Sequence, residues 1–154
     1  MTISFTGHAS VCCSAEVKIL VKEQIRKHIV GDEQVICYLG GCGEFDQICA
    51  CACRELKQEY RRIELVYVTP YLHVSEQQKI KELERTGLYD MSVYPPIEKT
   101  PPKFAIVKRN EWMMANADLV IAYVAHNYGG AYRSLQVARR KKKKIINIFD
   151  FFNK

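Results

Sequence analysis

The stretch QVICYLGGCGEFD, residues 34–46, passes from a short apolar run directly into a glycine-rich turn. The run ending at Leu39 has the length and composition of a buried strand, and helical spacing of apolar residues follows from Glu44 onward. Glycine allows positive φ and close approach of backbone N–H groups to an anion, and a helix amino terminus adds partial positive charge. The stretch therefore predicts a strand–turn–helix unit whose turn accepts an anion, with tight packing of the turn as the alternative reason for its glycines.

The same alternation of strand and helix extends over the rest of the chain. Apolar periodicity predicts strands at residues 3–6, 34–39, 63–69, 119–124 and 145–149, and helices at 15–30, 44–60, 75–85, 103–116 and 131–143. Residues 89–102 are predicted to be a loop, because they hold four of the five prolines.

This order of elements predicts the class of fold. Strands that alternate with helices imply right-handed βαβ crossovers, and therefore a Rossmann-like three-layer α/β/α architecture with a mostly parallel central sheet. The length of 154 residues fits one domain, residues 1–154.

The seven cysteines are odd in number and include the adjacent pair Cys12 and Cys13, which does not suit a disulfide framework. We therefore expect a reducing, cytoplasmic location. The four histidines are scattered and match no zinc-ligand spacing, so we expect neither a metal site nor a cofactor. No apolar run approaches the roughly 18 residues that span a bilayer, and the amino terminus lacks the pattern of a secretory signal, so we expect no membrane partner.

The formal net charge is +6, and residues 139–144, RRKKKK, form one basic run. This run falls at the predicted carboxyl end of a helix, where cations oppose the negative end of the helix dipole. No aromatic residues are interleaved with it, so the pattern favours a solvated helix end and disfavours nucleic acid as a partner. Salt-sensitive nucleic-acid binding by this run remains as a third class of function.

Three loops follow predicted strands and begin helices. In open parallel sheets, ligands bind in the crevice outside the carboxyl ends of the strands. Three glycine-bearing loops at this edge favour an anionic ligand. The candidate ligand-binding residues are Thr6, Gly7, His8, Gly40, Gly41, Gly43, Phe45, Asp46, Arg109, Asp118, Gly129, Gly130, Arg133 and Ser134.

The charged candidates have distinct possible roles. Arg109 lies on a predicted helix and can point its guanidinium fork at a phosphate. Asp46, near a helix start, either accepts from free backbone N–H groups or recognises a ribose hydroxyl. Asp118, before a buried strand, either ties loops together or contacts the ligand. Tyr128 or Tyr132 would flank a base or belong to an interface.

Four motifs together resemble the SLOG superfamily of Rossmann-like proteins, which includes YpsA-like proteins, DprA-type domains and the lonely-guy phosphoribohydrolases. The resemblance covers nearly the whole chain. The motifs are Thr6-Gly7-His8, Gly40-Gly41-x-Gly43-x-Phe45-Asp46, Arg109-x₃-Met113-x₄-Asp118 and Gly129-Gly130.

The resemblance implies a nucleotide or NAD-derived ligand, such as a cyclic ADP-ribose-like molecule, held by a sensor or sequestering protein that forms homo-oligomers. The alternative it implies is a nucleoside-monophosphate phosphoribohydrolase or a nucleoside glycosyl-transfer enzyme. Gln136 stands where the phosphoribohydrolases carry a glutamate, and an amide cannot serve as the required carboxylate. We therefore assign no catalytic residue and favour binding over catalysis.

Overall fold

Strands and helices alternate along residues 1–152, which the computed structural model describes. The strands are β1 (Thr2–Gly7), β2 (Val35–Leu39), β3 (Ile63–Val68), β4 (Met91–Val93), β5 (Leu119–Tyr123) and β6 (Lys144–Asn147). The helices are α1 (Ser14–His28), α2 (Glu44–Glu59), α3 (Val74–Arg85), α4 (Ala105–Ala115) and α5 (Gly130–Arg140), with 3₁₀ helices at Pro102–Phe104 and Ile148–Phe152. The last two residues of the predicted domain 1–154 lie outside the described residues.

The six strands form one sheet in the order β4-β3-β2-β1-β5-β6, and every pair of neighbouring strands is parallel. The chain moves outward from β1 to β4 on one side and then returns to place β5 and β6 on the other side. The order of strands therefore reverses between β1 and β5, which is where open α/β sheets form their ligand crevice. The predicted Rossmann-like α/β fold with a mostly parallel sheet is confirmed.

Alternation of side chains along the strands produces two buried layers. Ile3 and Phe5 of β1 join the core that α1 and α2 cover, and Ser4 points to the other face. There the Ser4 hydroxyl donates to the Met113 carbonyl oxygen of α4 at 2.7 Å. Val120 of β5 packs on the same face against α4 and α5. The sheet is covered on both faces, so strands β2 and β5 within it are apolar throughout.

The prediction that residues 89–102 contain no strand is wrong, because β4 lies within them. Backbone and side-chain bonds from Asp90 hold it: the Asp90 amide donates to the Leu65 carbonyl at 2.9 Å, and its carboxylate accepts from the Leu65 amide at 2.8 Å. A strand of three residues is too short to show periodicity, and the prolines that follow it concealed it.

The final strand is shorter than its predicted extent of residues 145–149. The Asn147 side chain accepts from the Val124 amide at 3.0 Å and donates to the Val124 carbonyl at 3.0 Å. The same Asn147 oxygen accepts from the Phe149 amide at 3.3 Å, which turns the chain into the last 3₁₀ helix. Within residues 1–152, no helix combines the length and the apolar character required to cross a bilayer.

Candidate functional site

The loops after β1, β2 and β5 meet above the carboxyl edge of the sheet, around a cavity of about 300 Å³. Eight of the candidate residues line this cavity, and they come from all three loops and from α4: Thr6, Gly7, His8, Gly40, Gly43, Asp46, Arg109 and Gly130. The structure therefore brings together residues that are more than 120 positions apart in the sequence.

The amino terminus of α2 is occupied by the protein itself. The Glu44 amide donates to the Ala9 carbonyl at 3.0 Å, and the Phe45 amide donates to the His8 carbonyl at 3.4 Å. The Cys42 amide donates to the Asp46 carboxylate at 3.1 Å. Because these amides already have acceptors, this end of α2 is not open to an anion.

Packing explains the glycines around this turn. A Cβ on Gly7 would lie 2.3 Å from the ring of Phe45, and a Cβ on Gly41 would lie 2.6 Å from the ring of Tyr67. A Cβ on Gly43 would lie 3.0 Å from the Ala9 Cα. Phe45 is itself fully buried, so it belongs to the core and not to a ligand surface. The turn uses glycine for close contact within the protein, which was the alternative explanation from the sequence.

Arg109 is 1% exposed, and two of its guanidinium nitrogens donate hydrogen bonds within the protein. Its Nη1 donates to the Gly40 carbonyl at 3.0 Å and to the Val68 carbonyl at 2.8 Å, while Nε donates to Asn110 at 2.9 Å. The guanidinium group therefore ties the carboxyl ends of β2 and β3 to α4. Its hydrogen bonds position the loops, and they commit Nη1 and Nε within the protein.

We expect Arg109→Ala to destabilise the fold by about 3–5 kcal/mol, because it empties a buried volume and leaves two buried carbonyls and the Asp46 charge without their partner. Urea unfolding followed by circular dichroism measures the change. Arg133→Ala is the matched control, since Arg133 is exposed and its loss should alter stability by no more than about 0.5 kcal/mol. Equal stabilities for the two variants would contradict this role.

Asp46 lines the cavity, and the pKa of its carboxyl group is raised. Burial raises the pKa of its carboxyl to about 6, and the Cys42 amide and the Arg109 charge only partly oppose that shift. Asp46 is therefore mainly ionised at neutral pH and becomes neutral in mildly acidic solution.

Asp118 lies at the opposite edge of the sheet. Its carboxylate accepts from the Thr2 amide at 2.8 Å, where β1 and β5 begin. The structure therefore does not bring Asp118 to the cavity. Of the two roles open from the sequence, it has the one that ties neighbouring segments together.

The amino terminus of α5 is open, in contrast to that of α2. Gly129 caps the helix with φ of 91° and no side-chain hydrogen bond, and a Cβ on Gly129 or Gly130 would meet nothing within 4 Å. Gly130 and Ala131 line the first cavity, so the amino terminus of α5 borders space that a ligand can enter. Arg133 is exposed on the same first turn, whereas Ser134 is buried.

A second cavity of about 360 Å³ continues from this helix end along the groove between α4 and α5. It shares Ile106, Asn110 and Gly130 with the first cavity. Arg133 and Arg140 line it seven residues apart, which places them about 10 Å apart along the helix axis. The groove thus connects the open helix end to the basic run.

A stack of three rings stands beside the open helix end. The His8 and His126 rings are 3.9 Å apart between centroids, and the His126 and Tyr128 rings are 3.8 Å apart. His8 Nε2 accepts from the Ala125 amide at 2.8 Å, and burial together with the His126 charge lowers the pKa of His8. Tyr128, the outer ring, is 67% exposed and offers a free face.

Sequence reasoning singled out His8 and mentioned Tyr128, but it missed His126. The available signal was an aromatic pair at alternate positions, residues 126 and 128, within a glycine-bearing loop. The stack itself requires the neighbouring β1 loop to contribute His8, and β1 and β5 are distant in the sequence and adjacent only in the sheet.

The basic run of residues 139–144 lies at the far end of α5, and five of its six side chains are exposed. Among residues 1–152, no ion pair involves Arg133 or any member of the run. The run contains six cations and the formal net charge is +6, so the remainder of the chain is formally neutral. These charges are therefore available to an anionic partner.

Comparison with known proteins locates the fold among solved structures. The chain is similar to DNA processing protein A from Helicobacter pylori, described by its single-stranded DNA binding mode, with a TM-score of 0.61, 15% identity and coverage of 94% of this chain and 63% of that chain. It is also similar to DNA processing protein A (DprA) from Streptococcus pneumoniae, with a TM-score of 0.62, 11% identity and coverage of 94% and 48%. The chain therefore spans less than two thirds of either protein. No protein-family model matches it, and no curated protein matches it.

These neighbours confirm a Rossmann-like fold, and they overturn two predictions. The nucleotide or NAD-derived ligand, with its phosphoribohydrolase or glycosyl-transfer alternative, is wrong, and so is the expectation against a nucleic-acid partner. Both neighbours are DNA processing proteins, and one is described by how it binds single-stranded DNA. The expectation against nucleic acid was based on the basic run alone, which was interpreted as a solvated helix end. The sequence does not show that the other end of the same helix is open.

Proposed function

We propose that this protein binds single-stranded DNA along α5, from the ring stack at the carboxyl edge of the sheet to the basic run. The observation that carries the proposal is the uncapped first turn of α5, which lies between a free aromatic face on Tyr128 and the exposed Arg133. Single-stranded DNA offers the two chemical groups that such a site accepts, phosphates and unpaired base faces. The similarity to the Helicobacter pylori protein supports the choice of single-stranded DNA.

The phosphate part of the site is built from backbone and arginine. The amides of Gly130 and the residues after it are donors without an intrahelical acceptor, and the helix dipole adds positive potential at the same place. Arg133 supplies a mobile charge on the same turn. A phosphate held there continues towards Arg140 through the groove that both arginines line.

The base part of the site is the stack of His8, His126 and Tyr128. A nucleobase on the outer face of Tyr128 would extend three rings that are already ordered, so few side-chain rotamers need to be fixed on binding. Base–aromatic stacking tolerates any sequence, because every base has a π-face. We therefore expect weak sequence preference.

The basic run provides the long-range attraction. α5 has 11 residues and is about 16 Å long, so a strand that starts at Gly130 reaches the run within one helix length. Cations without ion-pair partners bind phosphates without first breaking an internal contact. This explains why an otherwise neutral chain concentrates its charge at one end of this helix.

Several finer assignments belong to the same proposal. We infer that the chain is a SLOG-type domain over residues 1–154, close to the YpsA-like branch, and that it acts as a homo-oligomer in the cytoplasm. The seven cysteines, which form no disulfide in the structure, support a reducing compartment. Exposed Ile106 and Val107 beside the groove support self-association.

The direct test is fluorescence anisotropy with a labelled oligothymidylate, a duplex of the same length, AMP and NAD. We expect the single strand to bind more tightly than the duplex, and we expect AMP and NAD not to displace it at concentrations near the strand's Kd. Salt should weaken binding with the log–log slope of phosphate contacts, about −0.7 per contact for a single strand. Absence of strand binding at low salt would refute the proposal.

The affinity for the single strand should depend on pH through Asp46, because Asp46 and Gly130 line the same cavity. A phosphate beside a carboxylate favours the protonated carboxyl, so Asp46 takes up a proton on binding and affinity rises as the pH falls through about 6. Between about pH 7.5 and 5.5 the gain reaches up to about 25-fold if only the protonated form binds. Asp46→Asn should bind tightly at both pH values, since its amide oxygen can still accept from Cys42.

Asp118→Asn is the control for this pH effect, because Asp118 is an acid at the other edge of the sheet. That variant should keep the pH profile of the natural sequence. Protonation of His8 would change the affinity in the same direction, because a bound anion favours the protonated imidazole and the pKa of His8 is lowered in the free protein. A shallow dependence of affinity on pH that is left in Asp46→Asn is therefore assigned to His8. A full slope retained by Asp46→Asn would contradict the assignment to Asp46.

A further inference from the structure

A third cavity, of about 570 Å³, opens on the other side of the ring stack. It lies between the loop after β1, the carboxyl end of β5 and the last 3₁₀ helix. Its volume is within the range of pockets that hold small organic groups. Five of its lining residues carry rings: His8, Tyr123, His126, Phe149 and Phe152.

The lining of this cavity suits a planar neutral group and not a phosphate. No Lys, Arg, Asp or Glu is among the residues that line it. The His8 ring accepts a hydrogen bond from the Ala125 amide at Nε2, which only the neutral imidazole can do, and His126 Nδ1 donates to the Tyr128 carbonyl oxygen at 3.1 Å. Ring faces form the walls, and the Ser10 hydroxyl and two thiols provide polar groups for the edge of a base.

The cavity is also close to the proposed phosphate site. His126 lines the cavity and Gly130 begins α5, with three residues between them in the sequence. His8 and Ala9 line both this cavity and the one beside Gly130, so the two spaces adjoin. A nucleotide held by its phosphate at α5 therefore has an aromatic pocket within reach for its base.

We propose that one base of the bound single strand inserts into this cavity, between the imidazole rings and the phenylalanine side chains. The inference rests on the proposed function and adds to it a base-binding pocket distinct from the outer face of Tyr128. The bound strand would then have one base in the cavity and another on the outer face of Tyr128, with the remaining nucleotides held by backbone contacts along α5.

The natural cysteines allow a test on the unaltered protein. Cys12 and Cys13 are exposed and line this cavity, Cys42 lines the cavity beside Gly130, and Cys51 is half-buried on α2 outside both. The rate of alkylation by iodoacetamide at each cysteine is measured by mass spectrometry. Two probes are compared at saturation: an oligothymidylate and an oligomer of the same length made of abasic deoxyribose phosphate.

We expect the oligothymidylate to slow alkylation of Cys12 and Cys13 at least fivefold, and the abasic oligomer to leave their rates unchanged. Cys51 reports any general effect of the bound strand. Unchanged rates at Cys12 and Cys13 under saturating oligothymidylate would overturn the base pocket while leaving strand binding intact. Failure of both oligomers to bind at all would overturn the proposed function itself.

A variant that fills the cavity gives a second readout. Ser10 is exposed at the cavity, so Ser10→Trp should occupy it and reduce the preference for oligothymidylate over the abasic oligomer to the part that stacking on Tyr128 contributes. Glu84→Trp, on the exposed side of α3, is the matched control and should retain the difference between the two oligomers. Undiminished preference for oligothymidylate in Ser10→Trp, with Cys12 still protected, would refute the inserted base.

Discussion

Replacing the six basic residues 139–144 with glutamine should abolish most of the salt dependence of single-strand binding. Each phosphate contact contributes about 0.7 to the log–log slope, so the loss of six contacts flattens it by about 4. When salt rises from about 50 to about 200 mM, the natural protein should lose about 300-fold more affinity than the variant. Anisotropy titrations over this range of salt measure both slopes.

The control for this variant keeps the change in net charge and moves its location. It neutralises six exposed cations on other surfaces: Lys27, Arg61, Arg62, Lys81, Arg85 and Lys99. If net charge alone attracts the strand, both variants lose equal slope, and the α5 path is wrong. If the path is correct, the control retains nearly the whole slope of the natural protein.

The second large effect is expected at the outer ring of the stack. Tyr128→Ala should weaken binding by about 1–3 kcal/mol, or roughly 5- to 150-fold, because a stacked base loses its aromatic partner. The fold should be unaffected, since Tyr128 is 67% exposed and its loss creates no internal cavity. Titration of the same labelled oligothymidylate measures the change, and circular dichroism checks the fold.

Conservative changes at Tyr128 separate stacking from hydrogen bonding. Tyr128→Phe should bind as the natural protein does, and Tyr128→Trp should bind as tightly or more tightly, because its ring has the larger face. A loss in Tyr128→Phe as large as that in Tyr128→Ala would assign the effect to the hydroxyl group and contradict a stacking role.

Much of the fold was predictable from the sequence because its signals are local. Strand β2 and helix α2 show in residues 34–46 through apolar composition, glycine and helical spacing, and each depends only on nearby residues. Strand β4 was not predictable, since three residues held by backbone bonds and by one aspartate carry no periodic pattern.

For the candidate residues too, the chemical type was visible in the sequence, whereas the hydrogen-bond partners were not. Gly40, Gly41 and Gly43 have the composition of an anion-binding turn, yet the amides that follow them bond to the β1 loop. Arg109 has the chemistry of a phosphate ligand, yet its Nη1 donates to carbonyls at the ends of two strands. A sequence shows which groups can donate, but their acceptors come from segments far along the chain.

By itself the sequence determined a Rossmann-like parallel sheet, the loops at its carboxyl edge and a charge excess confined to one run. Only the tertiary structure decided that the amino terminus of α5 is open while that of α2 is satisfied, and that His8, His126 and Tyr128 form one stack. The physical reason is the separation along the chain of the residues that interact. Helix and strand formation follow from contacts between residues a few positions apart, whereas the availability of an amide or a ring face depends on which distant segment packs against it.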